Sequence, residues 1–240
     1  DTNGGSAISK VSKTSGTTVD LTGYTPTRDG YTFDGWYSDS ALTIKVTSIK
    51  LTSNTTIYAK WTAKSDMSFT DVADKAYYRD AVAWAVENGI TKGTTATTFS
   101  PNATCTRAQA VTFLWRAAGS PKPETRTMPF TDVPVGSYYY DAVLWAVENG
   151  ITKGTSDTTF SPDATCSRAQ IVAFLWRSEK SPAAGTANPF ADVKSTAYYA
   201  DAVLWAVKED ITKGTTNTTF SPDADCTRAQ IVTFLWRCKK

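Results

Sequence analysis

Apolar positions along this chain fall into recurring textures. DAVAWAV at 80–86, DAVLWAV at 141–147 and DAVLWAV at 201–207 place Ala, Val, Leu and Trp on one broad face of a helix. The first of these helices is predicted from about Tyr77 to Asn88. AQAVTFLWR, AQIVAFLWR and AQIVTFLWR, ending at Arg116, Arg177 and Arg237, are apolar on more than one side and predict helices that need neighbours on several faces. Between each pair lies a Thr-rich segment such as ITKGTTATTF, read as a structured loop with room for a short extended pair. Residues 1–62 look different: Ile57, Ala59 and Trp61 alternate with Thr56, Tyr58 and Lys60, the period of a half-buried strand.

These textures belong to a repeat. Phe69–Arg116 recurs as Phe130–Arg177 and as Phe190–Arg237, joined by Pro-, Gly- and Ser-bearing linkers. Each copy reads helix, loop, helix. Gly89 and Gly150 suit the left-handed position just past the first helix, where the third copy carries the less comfortable Asp210. Ser-Pro pairs at Ser100, Ser161 and Ser221 delay the second helix. That helix opens on a capping box: Thr106, Ser167 and Thr227 as caps, with Gln109, Gln170 and Gln230 three residues on. Cys105, Cys166 and Cys226 precede the caps at hydrophobic-staple spacing from Ala110, Ile171 and Ile231. A unit of about 60 residues is marginal alone, so three are expected to share a core; the number three invites pseudo-threefold closure, with an open stack as the alternative.

Four modules follow: 1–62, a small antiparallel or mixed sheet; 67–118, 128–179 and 188–240, the repeats; with a boundary near Ala63–Met67. The chain opens on the turn signal Asn3–Gly4–Gly5 and shows no signal peptide. It therefore reads as a processed or excised piece, with an apolar strand missing before Asp1.

Composition narrows the function classes. Lys+Arg is 25 against Asp+Glu 23, for a net charge of +2, which gives no basic stripe for nucleic acid. Histidine is absent, which removes His-based acid–base devices and most zinc sites. No apolar run reaches the roughly 20 residues that span a bilayer. No cofactor or metal motif is present. Cys226 and Cys238 lie on one helix, too far apart for a disulfide; Cys238 is left either free or paired across the assembly.

Candidate chemistry centres on Arg107, Arg168 and Arg228, each at the first position of a helix, where a cation opposes the dipole. One reading makes them ties to the neighbouring repeat through salt bridges or carbonyls. The other has them fork onto an anionic ligand, reinforced by free helix N–H groups. Lys92, Lys153 and Lys213 recur beside Gly93, Gly154 and Gly214 and are either solvated or groove-lining. Trp84, Trp145 and Trp205 are either core or a sugar-stacking face, while Trp115, Trp176 and Trp236 read as packing. Tyr78, Tyr139 and Tyr199 are expected at a rim. Asp71, Asp132 and Asp192 read as local turn-formers, and no carboxylate pair of glycosidase type stands out.

The F-x-D-V, AV-x-W, GIT-x-G, F-S-P and [TS]-R-A-Q skeleton, in three copies, resembles the S-layer homology domain. Residues 1–62, with DTNGGS, GYTFDGWYSD and TIYAKW, resemble the Listeria–Bacteroides (internalin B-type) repeat, whose fold is β-grasp-like. The resemblance implies an α+β protein: mainly α-helical repeats in a pseudo-threefold, three-pronged assembly, preceded by a small β module. It also implies an extracellular, cell-wall location in Gram-positive bacteria and a non-catalytic anchoring role. Its ligands would be secondary cell-wall polysaccharides linked to peptidoglycan, often ending in pyruvylated N-acetylmannosamine, held in grooves between repeats. By this resemblance Arg107, Arg168 and Arg228 bind the ketal carboxylate or hold the groove together, and the Lys, Gly and Trp positions above line it, glycine letting the polymer approach. The family usually has Glu where Gln109, Gln170 and Gln230 stand; the cap survives that exchange and the negative charge does not. Other surface-layer proteins are further candidate partners. The competing account is a protein–protein module in which the arginines are purely structural; a polysaccharide-active enzyme ranks third.

Overall fold

The computed structural model describes residues 1–28, 30–63 and 69–240. It contains two compact units, Asp1–Asp66 and Met67–Lys240. The junction expected near Ala63–Met67 runs into residues 64–68, which lie outside the described residues.

In the first unit, β1 (Thr18–Asp20) pairs antiparallel with β4 (Ser48–Lys50). β2 (Tyr31–Tyr37) lies between β3 (Lys45–Val46) and β5 (Tyr58–Ala63), antiparallel to both. The β2–β5 register slips between Phe33 and Gly35, where φ of +136° at Gly35 suits a residue without a Cβ. Val19, Leu21, Trp36 and Ala59 form the small core, with Phe33 set against Trp36 and Trp61 at ring separations of 5.5 and 5.4 Å. Among the described residues this unit holds strands and no helix.

Among the described residues the second unit holds six helices: α1 (Arg79–Glu87), α2 (Arg107–Ala117), α3 (Tyr140–Glu148), α4 (Arg168–Ser178), α5 (Ala200–Lys208) and α6 (Arg228–Cys238). Their packing crosses the repeat boundaries. α3 packs on α2, α5 on α4, and α1 on α6, so each repeat's first helix leans on the second helix of the repeat before it, and the last repeat closes on the first. α2, α4 and α6 also meet one another, and their Val111, Val172 and Val232 are fully buried. The all-round apolar pattern of these helices is thereby explained: one side faces the centre and another faces a neighbour's first helix. One core runs through all three repeats.

Backbone hydrogen bonds close the same ring. Cys166 N–H donates to Cys105 O (2.8 Å), Cys226 N–H to Cys166 O (2.9 Å) and Cys105 N–H to Cys226 O (3.0 Å). The cysteines are free, and the three in this ring are fully buried, as small apolar groups. Cys238 is half-buried and unpaired.

Local elements differ from expectation in two places. α1 begins at Arg79, two residues after Tyr77, because Ala76 N–H→Ala73 O and Arg79 N–H→Ala76 O turns hold the preceding segment. The Thr-rich loops form no extended pair; Thr94 N–H→Thr98 O (2.8 Å) and Thr94 Oγ1···Ser100 Oγ (2.7 Å) fold the first onto itself, with equivalents in the others. Asp210 does adopt the left-handed conformation (φ +54°) that Gly89 and Gly150 take in the other copies.

Candidate functional site at the seams between repeats

All three second helices carry the full capping box, with the Thr or Ser oxygen accepting from the Gln backbone N–H and the Gln Oε1 accepting from the cap N–H. Expected anion-holding N–H groups at these helix starts are not free. Arg107 N–H donates to Ala164 O and Ala108 N–H to Pro162 O of the next repeat; Arg168, Ala169, Arg228 and Ala229 do the same around the ring. The neighbour's carbonyls have taken the place of an anion.

Arg107, Arg168 and Arg228 are 3%, 4% and 4% exposed. Each Nε donates 2.9 Å across a seam to a Phe carbonyl: Phe160, Phe220 and Phe99. Each guanidinium also lies over that Phe ring, at 4.9, 4.8 and 4.9 Å from the centroid. The accepting peptide is itself held. Asp71 accepts from Phe99 N–H (2.8 Å) and Ser100 N–H (2.7 Å), and Asp132 and Asp192 repeat this. These aspartates were expected to form local turns. They instead bridge positions 28 and 29 residues away and close each repeat's start onto its loop end.

No ion pair involves these three arginines among the described residues. Nη2 of Arg107 and of Arg168 is buried with no hydrogen-bond partner, and Nη2 of Arg228 stands 3.5 Å from Thr91 Oγ1, at the limit of a bond. Burial pulls the pKa of all three down; nearby acidic groups, Asp132, Asp192 and Asp71 among them, oppose this only in part. A buried cation short of acceptors is costly unless something pairs with it.

A cleft of about 260 Å³ opens beside Arg168, lined also by Tyr77, Lys213, Gly214, Gln230 and Arg237. Three repeats therefore contribute to one cleft. Around the ring the same environment recurs, Tyr198 near Arg107 and Arg177, and Tyr138 near Arg228. Sequence reasoning missed two of these positions. Tyr77, Tyr138 and Tyr198 are 62%, 59% and 60% exposed and sit edge-on to the half-buried Tyr78, Tyr139 and Tyr199, one residue before the expected rim. Arg116, Arg177 and Arg237 donate to Ile90, Ile151 and Ile211 carbonyls of the loops. Their recurrence was visible in sequence; a helix-end cation is common enough to pass for dipole compensation.

Lys92, Lys153 and Lys213 are exposed. Two other groups of expected site residues need correction. Trp145 and Trp205 are buried and Trp84 is half-buried against the core, so neither Trp145 nor Trp205 offers a face to a sugar. Gly93, Gly154 and Gly214, at φ near +85°, abut the protein itself: a Cβ there would lie 2.5 Å from Cε1 of Phe69, Phe130 or Phe190. The close approach that requires glycine is made by a ring, not by a polymer. Trp115 and Trp176 are half-buried, their indole N–H groups donating to Pro121 and Pro182 carbonyls at 2.8 Å.

A closed ring of three helix–loop–helix repeats, with a cationic cleft where repeats meet, defines a helical-repeat binding module. The chain matches the S-layer homology domain at residues 68–111, 129–172 and 189–232, and the Listeria-Bacteroides repeat domain at residues 1–60. It belongs to the S-layer homology domain family. Among its relatives, it is 28% identical over 221 residues to an amylopullulanase of Thermoanaerobacterium thermosulfurigenes, covering 89% of this chain and 11% of that protein. It is 31% identical over 156 residues to a surface-layer 125 kDa protein of Lysinibacillus sphaericus, covering 63% of this chain and 13% of the other. A cellulosome-anchoring protein of Acetivibrio thermocellus is 29% identical over 154 residues, 62% of this chain and 33% of that one. The chain thus spans a minor part of each. Family membership makes it a non-catalytic, carbohydrate-associated wall-anchoring module at the outer cell surface. Among the described residues no helix is long and apolar enough to cross a membrane.

Proposed function

We propose that the seam clefts bind the anionic, pyruvylated sugars of a secondary cell-wall polysaccharide and so hold the chain to peptidoglycan. The observation that carries this is the guanidinium edge at Arg107 and Arg168, buried without an acceptor and without a carboxylate partner. A ligand carboxylate supplies both. Lys213 and Arg237 add positive charge to the cleft beside Arg168, and Tyr77 offers an exposed ring for a sugar face. Repetition around the ring raises the effective concentration of weak sites for one polymer. The names of the surface-layer and cellulosome-anchoring relatives agree with attachment of a longer chain to the cell surface.

Because the arginines also tie the seams, changing them confounds binding with folding. The exposed lysines do not carry that burden. Wall fragments, untreated or stripped of secondary polymer with hydrofluoric acid, are sedimented with the purified chain and with a Lys92→Glu, Lys153→Glu, Lys213→Glu variant. The reading expects retention on untreated walls only, and loss of retention in a variant that keeps its helical signal. Equal retention on stripped walls would point to the second reading, a protein-binding module recruiting other surface-layer proteins. The seam-spanning Nε bonds favour that reading, since they show the arginines have structural work independent of any ligand.

A further inference from the structure

The three seams are chemically alike, but the two segments that join the repeats are not. Each seam is made by an arginine Nε 2.9 Å from a Phe carbonyl, and the seam from repeat 3 to repeat 1, crossed by no linker, carries the same bond as the other two. Nothing at a seam tells a repeat of this chain from the same repeat of a second copy. The segment 118–129, between repeats 1 and 2, is pinned: Glu148 of α3 accepts from the backbone N–H of Glu124 (3.2 Å) and of Thr125. Its turn after α2 uses Gly119 at φ +87°. The segment 179–189, between repeats 2 and 3, is one residue shorter and has neither feature. Lys208 stands where Glu148 does, a donor in place of an acceptor, and pairs with Glu209 at 3.6 Å. Lys180, at φ +65°, stands where Gly119 does, and Ser181 follows at φ +52°. A left-handed φ suits glycine and strains a residue with a Cβ. Two strained residues in a row thus stand where the other segment has one, Ser120. Lys180 Nζ bonds Asn149 Oδ1 at 3.3 Å, a tie within repeat 2 that does not reach repeat 3.

We propose that residues 179–189 are a hinge through which repeat 3 leaves its own ring and closes the ring of a second copy of this chain, giving a reciprocally exchanged dimer. Opening the hinge releases the strain at Lys180 and Ser181, and every seam is remade between the copies. The Lys239–Glu179 ion pair then joins two chains. So does the cleft at Arg168: Tyr77 and Arg168 come from one copy, Lys213, Gly214 and Arg237 from the other.

The whole chain is refolded from denaturant at micromolar and at near-millimolar concentration and sized by light scattering behind gel filtration. The dimer fraction is expected to rise with chain concentration, in proportion while the dimer is the minor species. Lys180→Gly, which removes strain, and Lys208→Glu, which restores the acceptor, are each expected to lower that fraction by roughly threefold or more. Deleting residues 183–185 is expected to make the dimer the main species. A Glu179→Cys variant tells exchange from surface association. The side chains of Glu179 and Cys238 interact across the seam between repeats 2 and 3, so a short bismaleimide joins these positions between chains in an exchanged dimer and within one chain otherwise. Covalent dimers on a denaturing gel are expected from the dimer fraction and not from the monomer. A chain that stays monomeric at the higher concentration, wild type and shortened segment alike, overturns the proposal, and so does a dimer whose cross-links fall within single chains. A dimer fraction that neither Lys180→Gly nor Lys208→Glu lowers overturns the assignment of the hinge to 179–189.

Discussion

At the scale of single residues, the repeated charged and small positions turn out to serve the seams before they serve a ligand. Gly93 is the sharpest case. Its φ is +86°, and a methyl group would meet both the Phe69 ring and Thr98 O at 2.5 Å. Gly93→Ala should cost about 1–3 kcal/mol or more, read as a lower midpoint in urea unfolding. Arg168→Lys should destabilise nearly as much as Arg168→Ala, about 1–3 kcal/mol, because an ammonium cannot reproduce the planar Nε bond to Phe220 O and the stack on its ring. Retention of full stability by the lysine variant would show that charge alone matters there. The cysteines make a pH prediction. Burial pushes the thiols of Cys105 and Cys226 up to about 12 from an ordinary 9.0, and Cys166 higher still. Above pH 9 the unfolded chain therefore holds fewer protons than the folded one. Stability is fully present below that pH and is lost as pH rises through the alkaline range. Thermal melts between pH 8 and 11 should show the fall, and a Cys105→Ala, Cys166→Ala, Cys226→Ala variant should show less of it.

At the scale of elements, the caps and the second helices were legible because their signals are local: Thr106 and Gln109 lie three residues apart and act on each other. Asp71 was misread for the opposite reason. Its partners, Phe99 N–H and Ser100 N–H, lie across the repeat, and no local pattern points to them. Tyr77 was passed over because the turns Ala76 N–H→Ala73 O and Arg79 N–H→Ala76 O ahead of α1 expose it one residue before the expected rim, and Trp145 was left open between core and sugar face because a broad apolar face does not say which tryptophan reaches the core. Asp71→Ala strips two backbone donors of their acceptor and should cost about 2–3 kcal/mol. Hydrogen exchange should show the Phe99 and Ser100 amides losing protection ahead of the α2 amides. Exchange that rises equally throughout would mean the carboxylate supports the ring and not its own loop.

At the scale of the whole second unit, the repeat count was readable, a shared core followed from marginal unit size and closure was suggested by the number three, yet the exchange of partners was not readable. Sequence repetition specifies what each repeat is made of, not whose helix it leans on. Since α1 packs on α6 and Arg228 reaches Phe99, removing residues 181–240 should leave α1 without its partner. The shortened chain is expected to show lower helical ellipticity and no cooperative melt, while the full unit unfolds in one transition. A two-repeat fragment with a sharp transition would show that the ring is assembled from independently stable parts.

The ring of cysteine backbones and the α1–α6 contact have a temporal consequence. Contacts between segments far apart in sequence, such as α1 and α6, form late and slowly. A polypeptide emerging amino end first makes α1 before its partner α6 and must leave it bare until α6 arrives. During that interval the first repeat is a target for proteases and for chaperones, and it gains its protection in one step, when the last repeat has followed it out.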